Sequence, residues 1–158
     1  MNRIILVLTI AVFFTACGSD DSSKNPERTD IIASYANGKP QIERDFIMTD
    51  GKRVAVYERE YYEDGSLLKE GKLSKNEKRD GLWKSYYRDG VVWSEGEYKN
   101  GIREGKTVTY FPNGKKYYEG QFVKAQKSGL WKFYDEEGKF VKETVYDTKN
   151  KTAISVDK

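Results

Sequence analysis

A block of glycine and aromatic positions returns every 24 or 25 residues along this chain. Tyr61, Tyr86, Tyr110 and Tyr134 form one column at steps of 25, 24 and 24. Gly65, Gly90, Gly114 and Gly138 form a second. Gly71, Gly96 and Gly120 form a third, with Thr144 in the fourth place, and Leu73, Tyr98, Phe122 and Tyr146 sit two residues further on. Gly81, Gly105 and Gly129 keep the step, and Trp83, Thr107 and Trp131 track them. Tyr35, Gly38 and Phe46 are a degenerate earlier copy, ahead of an insert around Asp50-Gly51. Such a period means that one supersecondary unit stacks on its own copies, because a single unit cannot bury its apolar face alone.

Each unit reads as two strands. Leu82 to Tyr87 is the first, Arg88-Asp89-Gly90 the turn, and Val91 to Tyr98 the second, closed by Lys99-Asn100-Gly101 and Gly105. Asp64-Gly65, Asp89-Gly90, Asn113-Gly114 and Glu137-Gly138 mark hairpin tips, since glycine reaches positive φ without strain. Tyrosine and tryptophan favour half-buried pleated surfaces, which suits a chain with 12 tyrosines. Helical apolar spacing is absent beyond the N-terminal run. The predicted fold is all-β: a single antiparallel meander of roughly ten strands built from repeated hairpins. It covers residues 30–147, followed by a polar tail, 148–158, that is either loose or blunts one edge.

The two-residue side-chain period puts Tyr86 on one face with Leu82 and Lys84, and Trp83, Ser85 and Tyr87 on the other. Glycine inside a strand marks close approach by a neighbour. Aromatic rings of adjacent strands are therefore expected to lie across Gly71, Gly96 and Gly120. The Trp83/Trp131 and Tyr86/Tyr110/Tyr134 columns are expected to fill a thin, incompletely closed core.

The pattern Gly-x-Trp-x-x-Tyr-Tyr-x-x-Gly, then Glu-Gly-x-Tyr, recurs over Gly81 to Tyr98, Gly105 to Phe122 and Gly129 to Tyr146, and in part over Tyr61 to Leu73. It resembles the variant MORN repeat, from about residue 30 to 147. The resemblance extends to bacterial repeat proteins of the YwqK type, which carry the label of antitoxins. It implies an interaction protein that neutralises a partner protein in a toxin–antitoxin system.

The N-terminus reads as an address. Arg3 precedes an apolar run of 11 residues, Ile4 to Phe14. A bilayer-spanning helix needs roughly 20 residues, so this run fits the core of a signal peptide instead. Phe14-Thr15-Ala16-Cys17-Gly18 resembles the bacterial lipobox. The resemblance implies diacylglycerol on the thiol of Cys17 and cleavage between Ala16 and Cys17. Residues 1–16 are thus expected to be a signal peptide, and 17–29 a lipidated cysteine with a flexible polar linker. Asp20 and Asp21 are similar to the surface-export signal of Bacteroidetes lipoproteins, or belong to a merely solvated linker. The expected place is the cell envelope, on the bacterial outer membrane, facing the periplasm or the outside, with the lipid anchor as the membrane contact.

Histidine is absent, which removes histidine-based triads and the commonest metal ligand. Cys17 is the only cysteine, so no internal disulfide forms. Lys and Arg total 28 against 25 Asp and Glu, with no basic block for nucleic acid. Glu70, Glu95, Glu119 and Glu143 form a ladder that either pairs with Lys and Arg on neighbouring strands, the reading preferred here, or holds a cation or sugar. Asp135-Glu136-Glu137 and Glu58/Glu60/Glu63/Asp64 could supply paired acids for glycoside hydrolysis, or lie solvated near turns. Tyr62, Tyr87 and Phe111, with Trp93 and Tyr117, recur at equivalent places and form the candidate binding stripe. The expectation is a non-catalytic binding or scaffold module for a protein or glycan, with no cofactor and no metal. An antitoxin-like neutraliser is the alternative, and an envelope-polymer hydrolase comes third.

Overall fold

The computed structural model describes residues 27–147 and the backbone of 152–157. The expected signal peptide, Cys17 and most of the linker lie outside the described residues. Eleven strands form one sheet in sequence order, each antiparallel to the next. They are β1 (Arg28–Ser34), β2 (Pro40–Thr49), β3 (Lys52–Tyr61), β4 (Leu67–Leu73), β5 (Arg79–Tyr86) and β6 (Val92–Lys99). Then follow β7 (Ile102–Tyr110), β8 (Lys116–Val123), β9 (Gln126–Tyr134), β10 (Phe140–Asp147) and β11 (Thr152–Asp157). The meander is the expected one, extended at both ends. Arg28 and Thr29, assigned to the linker from sequence, pair with Phe46 and Asp45. Thr152–Asp157, assigned to the tail, pair along β10.

Two kinds of turn join the strands. At the glycine tips, Gly90 N–H donates to the Tyr87 carbonyl (3.0 Å) and Tyr87 N–H to that of Val91 (2.8 Å). Gly90 sits at φ +86°, and Asp89 Oδ1 accepts the Val91 amide at 3.0 Å. The Asp-Gly pair therefore works as a unit: the carboxylate holds the turn while glycine takes the left-handed position. Asn113-Gly114 repeats this geometry. The opposite turns use two left-handed residues, Asn100-Gly101 at φ +49° and +85°. Lys124-Ala125 adopts the same shape at +49° and +63° without any glycine. These turns fold back on the preceding hairpin: Gly101 N–H donates to the Arg79 carbonyl (2.7 Å) and Ala125 N–H to that of Arg103 (2.9 Å).

No second layer covers the sheet among the described residues, so burial comes from neighbours within it. Cross-strand partners share a face, and one row across the centre runs Gly71, Trp83, Gly96, Thr107, Gly120. Trp131 continues it toward Thr144. Trp83 and Trp131 are buried, at 4% and 1% exposure. Each indole lies on the glycine of the strand before it. A Cβ on Gly71 would meet the Trp83 ring at 2.5 Å, and one on Gly120 would meet Trp131 at 2.3 Å. Gly96 departs from the expectation. Its neighbour is Thr107, and a Cβ there would find nothing closer than 3.6 Å. Toward the N-terminus the same row turns ionic, through Glu58, Arg44 and Asp30. Arg44 binds Glu58 at 2.7 Å and Glu77 at 2.8 Å.

The three row glycines are therefore predicted to respond with opposite signs in urea unfolding. Gly71→Ala and Gly120→Ala overpack an indole and cost about 1–3 kcal/mol. Gly96→Ala makes only ordinary contacts, 3.6 Å to Thr107 and 3.7 Å to the Tyr98 ring, and gains about 0.5–1 kcal/mol from reduced chain entropy. Equal effects at all three positions would contradict the packing.

Candidate binding surface

One face, here called the tyrosine face, is built by a hydrogen bond repeated along the sheet. Tyr61 Oη donates to Glu43 (2.7 Å), Tyr86 to Glu70 (2.7 Å), Tyr110 to Glu95 (3.1 Å) and Tyr134 to Glu119 (2.7 Å). Each tyrosine comes from an odd-numbered strand and each glutamate from the strand before it. The clasp thus ties every hairpin to the previous one. The glutamates also face cations: Lys84 lies 3.0 Å from Glu95, Lys116 lies 2.8 Å from Glu119, and Arg59 lies 4.0 Å from Glu70. Of the two readings of this ladder, Glu70 and Glu95 follow the paired one, with cations on neighbouring strands, whereas Lys116 shares β8 with Glu119. At the N-terminal end Arg59 grips Asp45 with two bonds of 3.0 Å, joined by Thr29 at 2.7 Å. Burial pushes the Asp45 carboxyl up, but the Arg59 and Thr29 hydrogen bonds outweigh it and hold its pKa below the usual value.

The clasp has an electrostatic consequence. Burial, then the bond to Glu43, raises the Tyr61 hydroxyl to about 12. The bond to Glu119, then burial, raises Tyr134 to about 12. Tyr86 and Tyr110 are raised for the same reasons, burial first. These groups hold their protons in the folded chain at a pH where unfolded tyrosine has lost them. Their contribution to stability is complete below pH 10 and disappears as pH rises toward 12. Thermal unfolding followed by circular dichroism should show melting temperature falling steeply across that window. Tyr134→Phe should reduce the slope, and an unchanged slope would contradict the clasp.

The residues of the predicted stripe fall into two groups. Tyr62 and Tyr87 are half-buried, and their hydroxyls donate to the carbonyls of Tyr86 (3.0 Å) and Tyr110 (2.9 Å) in the next unit. Tyr35 does the same to Tyr61 at 2.7 Å. Phe111, at the equivalent place, has no hydroxyl and packs on Tyr117 with ring centroids 4.7 Å apart. Trp93 and Tyr117 are exposed, at 47% and 44%. Register explains why. Ser85 pairs with Ser94 and Tyr86 with Val92, so Trp93 is the extra residue of a β-bulge. Tyr117 is skipped in the same way between Lys116 and Tyr118, and Val141 between Phe140 and Lys142. A bulge re-aims its side chain away from the regular alternation. Trp93, Tyr117 and Val141, the last 45% exposed, thus form an apolar line beside the tips. Their strands lie two apart, so the spacing is about 10 Å.

Four of the acids weighed for hydrolysis, Glu58, Glu60, Asp64 and Asp135, have other partners. Glu58 pairs with Arg44, Glu60 with Lys69 at 2.8 Å, and Asp64 with Arg88 at 2.6 Å. Asp135 caps its own turn by accepting the Lys139 amide at 2.8 Å. Among the described residues no acidic group is arranged to hold a metal ion.

The opposite, tryptophan face carries a feature that the sequence reading missed. Arg79, Arg103 and Lys127 also recur at steps of 24. The Arg79 guanidinium sits 4.4 Å from the Trp83 ring centre and 5.6 Å from that of Tyr98. Lys127 holds the same relation to Trp131 and Tyr146, at 4.4 and 5.1 Å. Arg103 lies between Tyr98 and Phe122, at 5.9 and 5.1 Å. Cation and ring alternate along the face, each desolvating the other.

No curated protein and no solved structure matches the chain. The family model described as MORN repeat variant matches residues 79–100, 103–124 and 127–148, three consecutive units that each begin at one of these cations and take in one odd-numbered strand and the next.

Proposed function

We propose that the protein is a non-catalytic, envelope-tethered binding module that presents the bulge line of Trp93, Tyr117 and Val141 to a protein or glycan partner. The observation that carries this reading is the bulge itself. Each of the matched units adds one residue to its second strand, and that residue is apolar and exposed. Isolated exposed apolar side chains are ordinary, but an aligned set at a fixed spacing is a patch of the kind that marks an interaction site. Aromatic side chains are enriched at such sites because they bring large contact area with few rotatable bonds. The absence of histidine and the pairing of Glu58, Glu60 and Asp64 with cations support the non-catalytic part. The tether rests on the lipobox-like segment ending at Cys17.

Photo-crosslinking in intact cells tests the reading. A benzophenone side chain placed at position 93 or 117 should capture a discrete partner, and one at Lys139, on a tip, should not. Radiolabelled palmitate should enter the wild-type chain and be lost in Cys17→Ala. Equal capture from all three positions would refute the surface, and label retained in Cys17→Ala would refute the tether.

A further inference from the structure

The aromatic row on the tryptophan face is broken once. Trp83 and Trp131 cover Gly71 and Gly120, but the residue between them in the repeat is Thr107, and Gly96 before it is uncovered. Trp83 pairs with Gly96 as well as Gly71, yet its ring lies on Gly71. A notch of about 220 Å³ results, with Gly96 and Thr107 in its lining; of its aromatic walls Trp93 is exposed, Tyr98 half-buried and Trp83 buried.

The chemistry of this notch is specific. Arg79 and Arg103 both line it. Arg103 donates from Nε to Tyr98 Oη at 3.1 Å and has no carboxylate partner among the described residues. Arg79 and Lys69, also in the lining, share the single carboxylate of Glu60, at 3.8 and 2.8 Å. Glu95, the acid in the lining, is already held by Lys84 and Tyr110, so Lys69, Arg79 and Arg103 have only the Glu60 carboxylate among them. Ser85 and Ser94, paired across β5 and β6, bring hydroxyls that make no hydrogen bond among the described residues. Cationic forks, open hydroxyls and flat aromatic walls in one small cavity match a ligand that has a carboxylate, several hydroxyls and an apolar C–H face.

We propose that the notch binds one uronic acid residue of an acidic polysaccharide. The guanidinium of Arg103 takes the carboxylate, as a planar fork suits a planar anion. The serine hydroxyls exchange hydrogen bonds with the sugar, and the exposed Trp93 ring in the lining carries its C–H face. A simple inorganic anion would use the cations and leave the aromatic walls idle. The site is single, because tryptophan occupies the equivalent place in the units on either side. It shares Trp93 with the bulge line but not Tyr117, and Thr107→Trp would lay an indole over Gly96, as in the sister units.

The test is a titration of the full-length chain, purified in detergent, with sodium glucuronate, glucose or inorganic phosphate. The Trp83 indole N–H and the Arg103 Nε–H resonances report binding. Glucuronate should give saturable shifts at both. Glucose, and glucuronate with Arg103→Ala, should bind roughly tenfold or more weakly, the loss expected for one charge-assisted hydrogen bond. Thr107→Trp should abolish the response and keep the strand signal in circular dichroism. If that variant does not fold, Arg103→Lys, which keeps the charge and loses the fork, should still weaken glucuronate binding. Phosphate binding as tight as glucuronate, no saturable shift, or full affinity in Thr107→Trp or Arg103→Lys would overturn the assignment. Capture at position 117, outside the notch, alongside such a failure would sink the notch and leave the partner surface standing.

Discussion

A single-layer sheet has to bury its large side chains against its own neighbours, and here that means an indole laid on a glycine one strand away. The approach is so close that any side chain on Gly71 or Gly120 would enter the ring. Everything else on that face follows from it. With the indole flat, a cation from the same strand can sit over it, as Arg79 and Lys127 do. Aromatics from the strands on either side can flank it, as Phe122 and Tyr146 flank Trp131 at 5.2 and 5.9 Å. On the other face the tyrosine–glutamate clasp does the same work with hydrogen bonds. Both devices join only adjacent strands, so stability is a sum of nearest-neighbour terms.

This construction bears on function because a strictly repeated surface is uniform. What singles out places on it are departures from regularity. The bulges in β6, β8 and β10 each expose one residue outside the regular alternation, giving the line of Trp93, Tyr117 and Val141. The replacement of tryptophan by Thr107 opens the one notch in the aromatic row. A third departure is stabilising: the row changes from glycine and tryptophan to Glu58, Arg44 and Asp30 in the first hairpins, where Arg53 also pairs with Asp30. Charges there replace an aromatic row that the early strands do not supply.

The hairpins were legible because Asp-Gly and Asn-Gly combine two turn preferences in two letters, and the spacing repeats them. The turn at Lys124-Ala125 was not, since nothing in those side chains favours positive φ; the flanking strands impose it. Strand pairing of Arg28 and Thr29 was hidden by their polar surroundings in the sequence. The crowding at Gly71 and Gly120 could be anticipated from the columns. The open space at Gly96 could also have been, had Thr107 been read as a missing ring. Alternation along one strand does not place Trp93 or Tyr117, because a bulge is a property of pairing between strands and leaves no mark on one strand. The Arg79, Arg103 and Lys127 column was visible in the spacing and was overlooked because cations vary between Arg and Lys while glycines do not.

The most direct measurement is the chemical shift of the glycine α-protons in a carbon–proton correlation spectrum of the full-length chain. An indole stacked on a glycine shields its α-protons. The account predicts strong upfield shifts for Gly71 and Gly120, with nuclear Overhauser contacts to Trp83 and Trp131, and an ordinary shift for Gly96. Ordinary shifts at all three, or an upfield Gly96, would contradict it.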